Sequence, residues 1–213
     1  MAASVSDDFK CVTLKVIVLG DSGVGKTALL NRYVYGELSK RPKPTIGASF
    51  LTKELMFNTP DAHGCPARQL VQLQLWDTGA RQENSPFLWR PKTEELRRGF
   101  RPLSLDLCRG ADCGVLVYDA TDGDSRTYES LGGWRDQLLD QLSLPDPREF
   151  PFIVLGNKAD LLGEATEIFA TPRERESSLA WNKMPRYMTS AVEGTGVEEV
   201  FHEVAEMALK QCI

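Results

Sequence analysis

Apolar positions along the chain gather in short runs separated by helical patterns and turn formers. Runs with strand character occur at Leu14 to Leu19, Phe50 to Phe57, Leu70 to Trp76, Val115 to Tyr118, Phe152 to Leu155 and, more briefly, Arg186 to Thr189. Leu73 and Leu75 alternate with Gln72 and Gln74, the period of a strand with one covered face. Leu51, Leu55 and Phe57 alternate less strictly, and this run pairs with the next as a hairpin. The connection Asn58 to Gln69 carries Pro60, Gly64 and Pro66, which predicts an exposed excursion longer than a tight turn. The later runs are continuously apolar, as strands of a parallel sheet covered on both faces should be. Helices are predicted over Lys26 to Tyr35, Arg126 to Leu142, Pro172 to Asn182 and Val197 to Lys210. The pattern therefore predicts an α/β fold, a mostly parallel six-stranded sheet with helices on both faces, in one domain spanning residues 1–213. Residues 58–69 and the proline-bearing, irregular stretch 85–109 are its two long loops.

Composition narrows the function classes. The 213 residues are 42% hydrophobic and 26% charged, the balance of an ordinary globular chain. A net charge of -5 supplies no basic field for nucleic-acid backbones, so no nucleic-acid partner is expected. The five cysteines, Cys11, Cys65, Cys108, Cys113 and Cys212, have no metal-ligand spacing and predict free thiols in a reducing compartment. The polar segment Met1 to Lys10 does not read as a signal peptide, and no apolar run approaches the roughly 20 residues of a membrane span. A cytoplasmic location follows as the expectation.

The chemistry is concentrated in a few motifs. After the first strand comes Gly20-Asp21-Ser22-Gly23-Val24-Gly25-Lys26-Thr27, a complete G-x-x-x-x-G-K-T in strand-loop-helix context. Its glycines let the backbone close around anionic oxygens while loop amides and the helix N-terminus donate to them. Lys26 adds a point charge for β- and γ-phosphates, and Thr27 offers a hydroxyl to Mg²⁺. An incidental lysine in a glycine-rich turn would match the same letters without the flanking strand and helix. The loop defines a P-loop NTPase fold, but it does not choose the base.

The base is read from Asn157-Lys158-Ala159-Asp160, directly after the fifth run, where nucleotide sites form in open α/β sheets. Guanine presents N1–H and an exocyclic amino group side by side, and one carboxylate, Asp160, accepts from both; adenine has an acceptor at N1 and lacks that amino group. Asn157 can bridge the base to the phosphate loop. The stem of Lys158 can lie over the ring with its charge left in water. Ser190-Ala191, after the last short strand, offers backbone amides to the guanine carbonyl.

In order and content these motifs, with Thr45-Ile46-Gly47 and Trp76-Asp77-Thr78, resemble the Ras superfamily of small G proteins. Within it the chain is most similar to the late-endosomal branch of the Rab family, through Leu14-Lys15-Val16-Ile17, Phe50-Leu51-Thr52-Lys53-Glu54, Arg109-Gly110-Ala111-Asp112, Trp134-Arg135-Asp136 and Phe150-Pro151-Phe152. The resemblance runs from Lys10 to Lys210. It implies a GTP/GDP switch in vesicle or endosomal trafficking, a monomer that meets effectors and regulators through switch I and switch II. Thr45 would complete the Mg²⁺ shell with Thr27 and sense the γ-phosphate, and Asp77 would hold the metal through water. The nucleotide contacts it implies take in Gly20 to Thr27, Ala28, Leu38, Thr45, Ala80, Asn157, Lys158, Asp160, Leu161, Ser190, Ala191 and Val192.

Departures from the family pattern fall mainly in switch II. Where the family has Asp-Thr-Ala-Gly-Gln-Glu, this chain has Asp77-Thr78-Gly79-Ala80-Arg81-Gln82-Glu83. Without a gap, Ala80 stands for the glycine that meets the γ-phosphate and Arg81 for the glutamine that orients water; with one residue inserted, Gln82 takes that role. The gap-free register is favoured and predicts slow hydrolysis, because a guanidinium has no acceptor with which to orient water. Leu38 stands where the family often has an aromatic over guanine, and Val192 where it has lysine. The chain stops at Lys210-Gln211-Cys212-Ile213, where members usually continue into a prenylated tail, so membrane attachment is expected only with such a tail added. A non-hydrolysing guanine-nucleotide scaffold is the alternative function, and a P-loop small-molecule kinase a third that leaves Asn157 to Asp160 unexplained.

Overall fold

The computed structural model describes residues 10–38, 45, 48–60, 66–79, 105–162 and 184–211. Its strands are β1 (Lys10–Leu19), β2 (Ala48–Pro60), β3 (Pro66–Thr78), β4 (Cys113–Asp119), β5 (Phe152–Asn157) and β6 (Arg186–Thr189). They form one sheet in the order β2-β3-β1-β4-β5-β6. Only the β2–β3 pair is antiparallel; β1, β3, β4, β5 and β6 run parallel. The helices are α1 (Lys26–Tyr35), α2 (Leu105–Cys108), α3 (Arg126–Glu129), α4 (Leu131–Leu142) and α5 (Val197–Gln211), with a 3₁₀ turn at Ala159–Leu161.

The strand period sorts β1 onto two cores. Leu14, Val16 and Val18 join Leu29, Leu30 and Tyr33 of α1 and Val200, Phe201 and Val204 of α5 on one face. Ile17 and Leu19 join Leu107 of α2, Tyr128 of α3 and Leu131, Trp134 and Leu138 of α4 on the other. Each large apolar side chain removed from water stabilises the fold by about 1.5–3 kcal/mol, so the doubly covered central strands are its most firmly held part. The chain leaves β1 toward β2 and β3 on one side and later returns to β4 on the other. That reversal beside the carboxyl end of β1 is where an open α/β sheet forms a ligand crevice, and the phosphate loop occupies it.

Three expectations need revision. Asn58 to Gln69 is not a free excursion: the hairpin ladder continues through Asn58↔Arg68, Thr59↔Ala67 and Pro60↔Pro66, leaving only 61–65 outside the strands. Both prolines sit at strand ends, where the missing N–H disrupts no inner rung. The helix expected over Arg126 to Leu142 is divided at Ser130, whose hydroxyl donates to the Thr127 carbonyl at 3.0 Å, just before the weak helix formers Gly132 and Gly133. Within 85–109 a short helix, α2, is formed; residues 85–104, and the helix expected over Pro172 to Asn182, lie outside the described residues.

Candidate functional site

The phosphate loop joins β1 to α1, and its glycines answer to specific neighbours. A Cβ on Gly20, whose φ is 143°, would come within 2.1 Å of the Val117 carbonyl oxygen. One on Gly25, φ 98°, would come within 2.3 Å of the Asn157 amide nitrogen. A side chain at either position is strained by the positive φ, and it would displace the Val117 carbonyl in the first case and the Asn157 side chain in the second. Lys26, the first residue of α1, folds back over the loop and donates from Nζ to the carbonyls of Gly20 at 2.7 Å and Asp21 at 2.8 Å. Burial brings its pKa down to about 8, with Asp77 and Asp21 opposing the shift. A buried cation resting on carbonyl dipoles is one that an anion would stabilise further. Asp21 turns its own carboxylate away, accepting from the indole N–H of Trp134 at 2.8 Å. Ser22 and Gly23 are exposed at the loop's outer side, while Ala28 is half-buried against the first core.

At the end of β3, Asp77 is 2% exposed. Its Oδ2 accepts from Thr27 Oγ1 at 2.5 Å and from Thr45 Oγ1 at 3.2 Å, and the two hydroxyls lie 2.7 Å apart. Its Oδ1 is buried with no hydrogen-bond partner among the described residues. Three hard oxygens within contact of one another, on a carboxylate whose other oxygen is orphaned, suit Mg²⁺, whose neighbouring ligands in an octahedron lie about 3 Å apart. The residues present fit that ion. Next along the strand, Thr78 donates to the Val18 carbonyl at 2.7 Å and fastens the end of β3 to β1.

The base-reading residues sit at the ends of β5 and β6. Asn157, 2% exposed, donates from Nδ2 to the Val24 carbonyl at 2.9 Å. Its Oδ1 accepts from the Ala191 amide at 3.3 Å and the Thr189 hydroxyl at 3.4 Å. Asp160 accepts from Ser190 Oγ at 2.6 Å. Lys158 differs from expectation: rather than standing in water, its Nζ pairs with Asp119 at 2.5 Å. Burial disfavours ionised Asp119, but hydrogen bonds from Lys158 and Thr121 outweigh it and hold the carboxyl below its ordinary value. The amides of Ser190 and Ala191, expected to face a guanine carbonyl, here donate within the protein, to Thr195 O and Asn157 Oδ1. The loop closes on itself, with Glu193 N–H donating to Ser190 Oγ.

Leu38 is half-buried against the first core, whereas the Leu161 and Val192 side chains are exposed. Ala80, Arg81 and Gln82 lie outside the described residues. Three contributors escaped sequence reasoning: Trp134 on Asp21, Asp119 on Lys158, and Arg32, which donates to the carbonyls of Ala191 and Val192. All are pairings between residues at least 39 positions apart, for which no local pattern exists.

A family model described as the Ras family matches residues 97–210, more than half the chain. One described as Ras of Complex, Roc, domain of DAPkinase matches residues 15–88. The gap between the two falls in the irregular stretch 85–109. The chain is 40% identical over 197 residues to the Ras-related protein Rab7 of Pisum sativum, covering 92% of this chain and 82% of that protein. It is 40% identical over 202 residues to the Ypt/Rab-type GTPase avaA of Emericella nidulans, and 41% identical over 202 residues to the Ypt/Rab-type GTPase Rab7 of Neurospora crassa. Each of these two matches covers 95% of this chain and 85% of the relative.

Proposed function

Since the chain belongs to the Rab family of Ras-related small GTPases, a GTP-binding and GTP-hydrolysing switch of vesicle trafficking, we propose that the pocket just described is where it binds and turns over the nucleotide. The observation that carries this assignment is Asn157, whose side chain ties the loop bearing Lys26 to the strand end bearing Asp160. Phosphate and base determinants are thereby held as one unit. The non-hydrolysing scaffold and the small-molecule kinase give way to the GTPase.

In this assignment the amides of Gly20 to Thr27 and the N-terminus of α1 receive the phosphate oxygens, and Lys26 exchanges its two carbonyl acceptors for β- and γ-oxygens. Asp160 accepts from guanine N1–H and the exocyclic amine, with Ser190 fixing the carboxylate's rotation. Mg²⁺ held by Thr27 and Thr45, with Asp77 beyond, would neutralise charge on the β- and γ-oxygens. Thr45 couples the terminal phosphate to switch I. In the gap-free register Arg81 takes the sequence position of the water-orienting glutamine, which would make hydrolysis slow; in the alternative register Gln82 keeps that position.

Effectors and regulators read the two switches. Phe50, 54% exposed, stacks at 5.1 Å on Trp76 close to the Asp77 end of β3, and we assign this aromatic pair to partner contact. We place the protein at the cytosolic face of endosomal membranes, on its likeness to the late-endosomal branch. No described helix is long and apolar enough to cross a membrane. GTP should outcompete ATP by at least about 1,000-fold, as expected of a pocket that hydrogen-bonds the base, and single-turnover assays with Mg²⁺ should release phosphate. Equal competition by ATP would refute the assignment.

A further inference from the structure

Arg32 lies in the last turn of α1, six residues beyond the phosphate-loop lysine and on no recognised motif. Among the described residues its guanidinium nevertheless donates to backbone carbonyls alone. Nε donates to Ala191 at 2.8 Å, Nη2 to Val192 at 2.5 Å and Nη1 to Gly36 at 2.6 Å. No carboxylate is among these acceptors. The first two belong to the loop after β6, and the third to the left-handed glycine that ends α1, whose N–H in turn donates to the Arg32 carbonyl at 2.9 Å. A cation there also complements the negative end of the helix dipole.

On its opposite side the same loop meets the base-reading residues: Ser190 Oγ donates to Asp160, and the Ala191 amide to Asn157. The loop is thus held between two sets of bonds, one from the guanine readers and one from Arg32. A free loop would let Ser190 release the carboxylate that selects the purine.

We propose that Arg32 is a positioning residue for base recognition, a brace from α1 that holds Ala191 and Val192 so that Ser190 keeps Asp160 oriented toward guanine. The inference rests on the nucleotide-site assignment above. It also makes α1 serve both ends of the nucleotide, because the first turn carries the phosphate lysine while the last, where switch I begins, carries the brace for the base.

The test uses the full chain and its Arg32→Ala and Arg32→Lys variants, with release of fluorescent GDP and competition by inosine diphosphate, which keeps the purine carbonyl but lacks the amino group that Asp160 reads. Arg32→Ala should release GDP about tenfold faster, the worth of one or two charge-assisted hydrogen bonds. Its preference for GDP over inosine diphosphate should shrink by about fivefold. Arg32→Lys, able to reach one carbonyl at a time, should fall between parent and alanine variant on both measures. Should Arg32→Ala not fold, Arg32→Lys decides by the same two readouts. GDP release within about twofold of the parent, or equal acceleration of both nucleotides, would overturn the brace and leave Arg32 a purely structural tie. A parent that held ADP as tightly as GDP would instead sink the base assignment and the brace together.

Discussion

The base-reading corner and the metal corner of this site both set hydroxyls against a carboxylate, Ser190 on Asp160 and Thr27 and Thr45 on Asp77, yet satisfy them differently. Around the base, protein groups answer one another: Asn157 meets Val24 and Ala191, Ser190 meets Asp160, and Arg32 holds the outer side of the loop. Around the metal, two hydroxyls crowd one oxygen of Asp77 while its other oxygen is buried without a partner among the described residues. The first arrangement is held in place by protein groups alone. The second becomes complete only with a cation, because a buried carboxylate oxygen left unpaired costs free energy that hydroxyl contacts to its twin do not recover. A switch is served by that division: identity of the base is read by a preformed surface, and the state of the phosphate by a surface that closes around its ligand.

Removing the base reader should break the contrast most severely. Asp160→Ala should weaken GTP binding by about 1,000-fold, with ATP binding little changed, in competition titrations; retained guanine preference would mean the corner is not what reads the base. Chelation of Mg²⁺ should accelerate GDP release by about 100-fold in the parent. In Asp77→Ala release should already be fast and respond little to chelator; an undiminished response would place the metal elsewhere. In the switch, Arg81→Gln should raise single-turnover hydrolysis by about tenfold or more, and no gain would favour the register in which Gln82 faces the water. Smaller still, Leu38→Phe should slow GDP release by about fivefold, the worth of one stacked ring.

The weakest effect concerns the frame that both corners share. Cys113 lies in the first core and Cys108 in the second, and burial pushes both thiols up to about 12. Unfolded, they ionise near the ordinary value of 9.0, so the unfolded chain loses its protons first as pH rises. Stability should therefore be indifferent to these thiols below pH 9.0 and fall above it. Thermal unfolding across that range checks the sign, and the exposed Cys11 should react with maleimide far faster than Cys113 in the native protein.

The strand runs, the boundaries of α1 and the phosphate loop were legible in the residues because each is a local pattern: alternation, apolar continuity, a left-handed glycine and a lysine at fixed offsets. The same holds for Asn157 to Asp160 as a motif. The hairpin's true length was not, since pairing Pro60 with Pro66 depends on the partner strand rather than on either proline. The tie from Asn157 to the phosphate loop was legible too, and Val24 is its acceptor; tertiary structure alone decided that Lys158 would pair with Asp119, that Trp134 would take the Asp21 carboxylate and that Arg32 would reach across to the loop after β6. Those pairings join residues far apart in sequence, and hydrogen bonding has no period to read along a chain; only the sheet order, by placing the ends of β3, β1, β4, β5 and β6 side by side, brings the partners within reach.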